Sequence, residues 1–205
     1  MFSNLPSCGK PTRLLVYDLH TLQARRNRFY LHGNAIASLQ TTIPILVEEI
    51  KKINIDCIAF PDDGAAKRFA HMFEGLGYHT VICGKVRDGD DRQITIQDGQ
   101  PDGRHIIIVD DLVQTGGTLY ECGVALKEAG AATVHAFVAH GVFPKRAWER
   151  FAKARLTGGD RCVFEKFWLT NSIPTTTDIL PKGDVYEVLD IADKIVMDLD
   201  MHSSI

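Results

Sequence analysis

The stretch Ile106-Ile107-Ile108-Val109-Asp110-Asp111-Leu112-Val113-Gln114-Thr115-Gly116-Gly117-Thr118 decides the fold. Its first four residues are apolar and β-branched. Such a short unbroken run reads as a central strand of a parallel sheet, buried on both faces. Two carboxylates end the run and a short loop follows. Thr115-Gly116-Gly117-Thr118 then opens a helix predicted over Gly117–Ala129.

Each part of this unit has a chemical use. Gly116 and Gly117 let the backbone turn tightly and approach a ligand. Free N–H groups and the positive end of the helix dipole suit a phosphate, and the hydroxyls of Thr115 and Thr118 add hydrogen bonds. Asp110 and Asp111 would repel that phosphate at short range. They suit a vicinal diol, whose hydroxyls donate to carboxylates. A ribose 5-phosphate offers both ends, with its phosphate in the loop and its 2- and 3-hydroxyls at Asp110 and Asp111. The plainer alternative is a turn in which Asp-Asp and Thr merely cap a helix. No G-x-x-x-x-G-K-[ST] run occurs, so this is not a P-loop.

Outward from this unit the same grammar repeats. Leu14–Leu19, Ile55–Phe60, His79–Cys83, Thr133–Ala139, Val163–Leu169 and Val185–Leu189 read as strands. Ile43, Leu46, Val47, Ile50 and Ile53 follow helical spacing, as do Ala66, Phe69, Phe73 and Leu76, closed by Gly75 and Gly77. Lys145–Arg155 reads as a helix with Trp148 and Phe151 facing inward, and Ala192 begins a last one. Gly84–Arg92 is polar and reads as an exposed loop. Ile94 and Ile96 mark a half-exposed strand, and Asp98–Gly103 a turn. Strands alternating with helices predict an α/β fold, a doubly wound and mostly parallel sheet with helices on both faces. Ligands of such sheets bind where strands end.

Bulk composition agrees. Of 205 residues, 45% are hydrophobic and 24% charged, enough for a sizeable core. The net charge of −3 argues against a nucleic-acid partner. No apolar stretch is long enough to span a membrane. The five cysteines, at 8, 57, 83, 122 and 162, show no C-x-x-C spacing. Cys57 and Cys83 sit in apolar runs, and a reducing, cytoplasmic setting fits.

Several segments together resemble one family. Val109–Thr118 is similar to the phosphoribosyl pyrophosphate motif shared by phosphoribosyltransferases and ribose-phosphate diphosphokinases. Tyr17-Asp18-Leu19-His20, followed by Gln23 and Phe29-Tyr30, resembles a strand end of the diphosphokinases. So do Phe60-Pro61-Asp62-Asp63-Gly64-Ala65-Ala66-Lys67-Arg68-Phe69, the loop segment Lys85-Val86-Arg87 with Arg92, His140-Gly141-Val142-Phe143, and Asn171-Ser172-Ile173-Pro174. The resemblance runs in order from about Leu14 to Leu199 and is nearest to the divergent, plant-type subgroup. Asp63, Ala65 and Gln114 depart from the commoner family pattern but not from that subgroup.

The resemblance implies a phosphoribosyltransferase-like fold. It also implies transfer of a diphosphoryl group from MgATP to ribose 5-phosphate, giving phosphoribosyl pyrophosphate and AMP. It makes Lys85 and Arg87 catalytic, and His20 and Asp62 holders of Mg²⁺ with the nucleotide. Asp110, Asp111, Gln114, Thr115, Gly116, Gly117 and Thr118 become the ribose 5-phosphate site. Lys67 and Arg68 are otherwise surface residues of a helix. His71, His79, His105, His135 and His140 are expected to be structural, and Asp90 and Asp91 to belong to a solvated loop.

The residues that stack on adenine belong, by resemblance, to a first half absent before Arg13. The nucleotide site is therefore expected to be half-present, completed by a homo-oligomer or by pairing with a full-length homologue. Residues 1–205 are expected to form a single domain, with 14–30 and 185–200 making a small second lobe or packing on the main sheet. Two other readings stay open: a non-catalytic sugar-phosphate-binding paralogue that regulates a full-length synthetase, and a phosphoribosyltransferase.

Overall fold

The computed structural model describes residues 9–20, 35–88, 91–152 and 162–203. Gln23, Phe29, Tyr30, Asp90 and Arg155 lie outside the described residues. The chain divides into two compact units, Met1–Thr42 and Ile43–Ile205.

In the first unit, β1 (Thr12–Tyr17) and β2 (Ala35–Gln40) pair in parallel, with Thr12 opposite Ala35 and Tyr17 opposite Gln40. Asp18 follows β1 in a left-handed conformation (φ 43°), which aspartate tolerates better than most residues. It is buried, and its carboxylate accepts from Thr41 Oγ1 at 2.7 Å, from the Thr42 amide at 2.8 Å and from Thr42 Oγ1 at 2.5 Å. Asp18 thus ties the ends of the two strands together.

The second unit is built on seven strands: β3 (Cys57–Phe60), β4 (His79–Asp88), β5 (Asp91–Asp98), β6 (His105–Val113), β7 (Thr133–Gly141), β8 (Phe167–Thr170) and β9 (Tyr186–Leu189). Their order across the sheet is β5-β4-β3-β6-β7-β8-β9. All neighbours pair in parallel except β4 and β5. The chain therefore moves outward from β3 through β4 to β5, then returns to the other side of β3 with β6 and proceeds to β9. This reversal between β3 and β6 is a topological switch point.

The strand period of two divides the core. Cys57, Ala59, Ile106, Ile108, Ala136 and Val138 face one side, where Leu119, Cys122 and Leu126 of α3 (Gly117–Glu128) cover them. Ile58, Phe60, Ile107, Val109 and Phe137 face the other side. They meet Ile43, Leu46 and Ile50 of α1 (Ile43–Ile50), and Ala65, Ala66 and Phe69 of α2 (Asp63–Phe69). Helices on both faces explain why the central strands are apolar without alternation. A short α4 (Pro174–Thr177) precedes β9, and α5 (Ala192–Ser203) follows it. Among the described residues no helix is long and apolar enough to cross a membrane.

The structure corrects three expectations. Within the expected loop Gly84–Arg92, the described residues are strand: β4 runs on to Asp88 and pairs antiparallel with β5, which begins at Asp91, Lys85 opposite Ile94 and Arg87 opposite Arg92. Polar residues on a sheet edge announce exposure, while the ladder between their backbones is indifferent to side chain. Residues 145–155 do not begin as a regular α-helix. Pro144–Phe151 forms 3-10 turns, with Lys145 and Arg146 at positive φ (54° and 60°), although Trp148 and Phe151 are buried as expected. The strand expected from Val163 begins at Phe167. Thr12–Tyr17 lies in the first unit, and Tyr186–Leu189 pairs with β8 in the main sheet.

Candidate active site

β6 continues past the apolar run. Asp110 stands opposite Val138, Leu112 opposite His140 and Val113 opposite Gly141. The two carboxylates therefore belong to the strand end, not to the loop, because the neighbouring β7 also runs on and keeps the ladder closed. Their exposures differ in consequence: the Asp110 side chain is 23% exposed and that of Asp111 only 1%.

The group that meets both is Arg68 of α2, itself only 13% exposed. Its Nη2 donates to Asp110 Oδ1 at 3.4 Å and to Asp111 Oδ1 at 3.3 Å. The Asp111 amide also donates to Asp110 Oδ1 at 2.9 Å. Burial first, and then the neighbouring Asp111 carboxylate, push the Asp110 carboxyl well above the usual carboxylate range, against the opposing pull of that amide and of Arg68.

Arg68, expected on the surface of its helix, is instead largely buried against the acids. The signal that could have found it is the cap of its helix. Asp62 ends the β3 turn and its Oδ1 accepts from the Ala65 amide at 2.9 Å, which pins α2 to the strand end. Arg68 then lies one turn beyond Gly64, on the same helix face. A Cβ on Gly64 would stand 3.0 Å from Asp62 Oδ1 and 3.7 Å from Arg68 Nη1, so Arg68 runs past that glycine among the acids.

β3 and β6 are neighbours at the switch point, Cys57 opposite Ile106 and Ala59 opposite Ile108. Asp62 follows the first strand, and the loop Gln114-Thr115-Gly116 follows the second. Gly116 is the N-cap of α3 in the left-handed region (φ 76°), where a side chain would be strained. Among the described residues no side chain caps this helix, so the capping reading of Asp-Asp and Thr does not hold here. The first amides of such a helix have no carbonyl of their own helix to donate to.

The remaining candidates are placed as follows. Lys85 is exposed on β4, and Arg87 lies two residues on along the same strand. His20 belongs to the first unit, exposed just beyond β1. Nδ1 of His140, at the end of β7, lies 2.9 Å from Ser172 Oγ, which brings the segments His140–Phe143 and Asn171–Pro174 together. Thr170 Oγ1 and Ser172 Oγ both donate to the Ala139 carbonyl, at 2.6 and 3.2 Å. His105 Nδ1 lies 3.0 Å from Thr133 Oγ1. His135 is buried against Trp168, ring centroids 5.6 Å apart, and burial pushes its pKa down to about 4.

Among the described residues no group of three or more His, Cys, Asp or Glu is gathered that could hold a metal ion. Mg²⁺ takes few protein oxygens and keeps waters and substrate phosphate oxygens as ligands. A single carboxylate such as Asp62, with one oxygen engaged in the helix cap, fits that kind of partial shell.

A family model described as "Phosphoribosyl transferase domain" matches residues 29–165. "Ribose-phosphate pyrophosphokinase 4" of Oryza sativa subsp. japonica is 44% identical over 193 residues, covering 92% of this chain and 57% of the relative. "Ribose-phosphate pyrophosphokinase 3, mitochondrial" of Spinacia oleracea is 41% identical over 206 residues, covering 98% and 49%. The chain thus spans about half the length of the curated relatives it matches. Among solved structures, phosphoribosylpyrophosphate synthetase from Mycobacterium smegmatis superposes with a TM-score of 0.72 at 23% identity, covering 94% of this chain and 59% of that one. At that identity the likeness bears on the fold alone.

Proposed function

Because the chain belongs to the phosphoribosyl transferase domain family, we propose that it acts as a ribose-phosphate diphosphokinase. The 1-hydroxyl of ribose 5-phosphate attacks the β-phosphorus of MgATP, the bond to the α-phosphate oxygen breaks, and AMP leaves with phosphoribosyl pyrophosphate as the other product. The observation that carries this reading is the site at the switch point. An uncapped helix start follows a pair of strand-end acids, and Asp62 ends the adjacent strand. The names of the matched relatives favour this activity over base transfer.

In this reading the phosphate of the sugar sits on Gln114–Thr118, held by backbone amides and by the hydroxyls of Thr115 and Thr118. Asp110, the more open acid, accepts from the ribose diol. Asp111, buried behind it, orients it through Arg68 and reaches the second hydroxyl once that arginine gives way. Lys85 and Arg87 stabilise negative charge on the transferring group, the main obstacle in phosphoryl chemistry. Asp62 would hold Mg²⁺, which when bound neutralises the nucleotide phosphates. The adenine contacts come from a second copy or from a full-length homologue. A cytoplasmic setting is part of the proposal, and a tagged chain found in an organelle would overturn that part.

The test is AMP formation by the purified chain, given MgATP with and without ribose 5-phosphate. AMP that appears only with the sugar phosphate supports the reading. Sugar-phosphate binding without turnover, alone and with a full-length homologue present, would leave a regulatory paralogue instead. Pyrophosphate release on adding a nucleobase to phosphoribosyl pyrophosphate would favour a phosphoribosyltransferase.

A further inference from the structure

Two consecutive residues of the 3-10 segment stand against two consecutive glycines of the phosphate loop. A Cβ on Gly116 would meet the Phe151 ring at 2.5 and 2.7 Å, and a Cβ on Gly117 would meet Arg150 Nη1 at 3.3 Å. Phe151 is buried, with the rings of Phe167 and Phe164 at 5.2 and 5.4 Å and that of Tyr120 at 6.4 Å. The backbone beside it is therefore anchored, and Arg150 is carried to the start of α3 by packing in the core. Gly116 needs to be glycine on two counts, its positive φ and the ring beneath it. Gly117 has no positive φ, so its lack of a side chain serves another end: it leaves room between the helix start and a guanidinium.

The loop Gln114–Thr118 carries no cation, and the nearest charged residues of the strand before it are two acids. A phosphate dianion there would meet only amides, hydroxyls and the helix dipole. Arg150 is exposed, and among the described residues no carboxylate forms an ion pair with it; Glu121 Oε1 lies 4.0 Å from the same Cβ position on Gly117. Arginine is the side chain best suited to grip two phosphate oxygens at once.

We propose that Arg150 is a phosphate-binding residue, whose guanidinium closes over the start of α3 and pairs with the 5-phosphate of the sugar held by Gln114–Thr118. This rests on reading that loop as the sugar-phosphate site. It adds a cation that lies outside the loop motif and about thirty residues beyond it.

The experiment is calorimetric titration of the purified chain with ribose 5-phosphate, and with inorganic phosphate as a probe of the phosphate end alone, each at low and high salt. Charge-assisted hydrogen bonds contribute enough for about tenfold in affinity, taking the lower end for an exposed group. Arg150→Gln is expected to weaken ribose 5-phosphate about tenfold and to flatten the salt dependence, with an unchanged melting curve. Arg150→Lys recovers part of the loss, since it keeps the charge but not the fork. Lys51→Gln, the same change of net charge at an exposed site just beyond α1, leaves both affinities unchanged. Wild-type binding that Arg150→Gln retains within twofold, with the same salt dependence, overturns this inference alone. Failure of the wild type to bind either ligand overturns the sugar-phosphate reading with it.

Discussion

Replacing Arg68 by methionine tests the charge balance of the strand-end acids. The substitution keeps an unbranched apolar stem of similar reach and removes the guanidinium. At 3.3 Å the contact with the Asp111 carboxylate is an attraction of about 5 kcal/mol at an effective dielectric of 20, and the contact with Asp110 at 3.4 Å adds to it as that raised carboxyl ionises. Desolvation offsets part of this. Removing one partner of a buried ion pair costs about 3–5 kcal/mol in practice. Both contacts are longer than ideal charge-assisted bonds, so the lower end applies and about 3 kcal/mol is expected near neutral pH. For a chain of this size that is a fall in Tm of roughly 6–12 °C.

The loss should also depend on pH. The Asp110 carboxyl is raised in the folded state, so the folded chain holds more protons than the unfolded one, and stability falls as pH rises above the ordinary carboxylate range. Without Arg68 that raising is larger, so the deficit grows with pH. Urea melts at pH 6 and pH 8.5 measure it. Arg68→Met combined with Asp110→Asn should recover most of the loss at the higher pH. A deficit under 1 kcal/mol, or one flat across that range, would refute the account of Arg68 as the counter-charge of the acids.

Three further outcomes follow from the geometry. Gly116→Ala places a side chain at φ 76° and against the Phe151 ring; strain and overlap together should cost about 2–4 kcal/mol in a denaturant melt and abolish sugar-phosphate binding. His135, held near a pKa of about 4 from an ordinary 6.5, contributes stability present above pH 6.5 and lost as pH falls toward 4, up to about 3 kcal/mol. His135→Leu also removes a buried Nδ1 that has no hydrogen-bond partner among the described residues, so its stability should be flatter between pH 7 and pH 4.5, and a wild-type slope in the variant would count against this. Asp62→Ala loses the cap of α2 and about 1 kcal/mol, whereas Asp62→Asn keeps a capping oxygen and stays within about 0.5 kcal/mol of the wild type. If Asp62 also faces the metal, both variants raise the Mg²⁺ concentration needed for nucleotide binding, and an unchanged requirement would remove it from that role.

What could be read in the sequence is what local chemistry dictates. Ile106–Val109 announces a strand buried on two faces because no polar face interrupts it, and Ile106 through Val109 are all fully buried. Thr115–Thr118 announces a turn into a helix because two glycines in a row suit little else. Arg68 and Arg150 were out of reach for the opposite reason. Arg68 lies 42 residues before Asp110, and the periodicity of its helix says only that it is not in the core. The guanidinium reaches the acids because β3 and β6 adjoin at the switch point, a fact of topology. The β4–β5 pairing is hidden likewise: Lys85–Asp88 and Asp91–Arg92 carry the composition of a loop, and only the partner strand makes them a ladder. Trp148 and Phe151 sit at helical spacing and are buried, yet two left-handed residues after Pro144 forbid a regular helix before them.

The placement of the acids also explains how one short segment can serve a ligand of mixed charge. Asp110 and Asp111 lie within the β6 ladder and are held from behind by Arg68, so their negative charge is balanced inside the protein. Past them the chain leaves the sheet at Gln114 and turns through Gly116, where charge reverses: the start of α3 presents amides, and Arg150 stands at Gly117. In the proposed function the hydroxyl-accepting and phosphate-accepting surfaces are separated along the chain by Leu112 and Val113, the latter buried in the core. Every residue in the proposed sugar-phosphate site belongs to Ile43–Ile205, whereas His20 belongs to Met1–Thr42. Sugar binding in the proposed function therefore draws on a single folded unit.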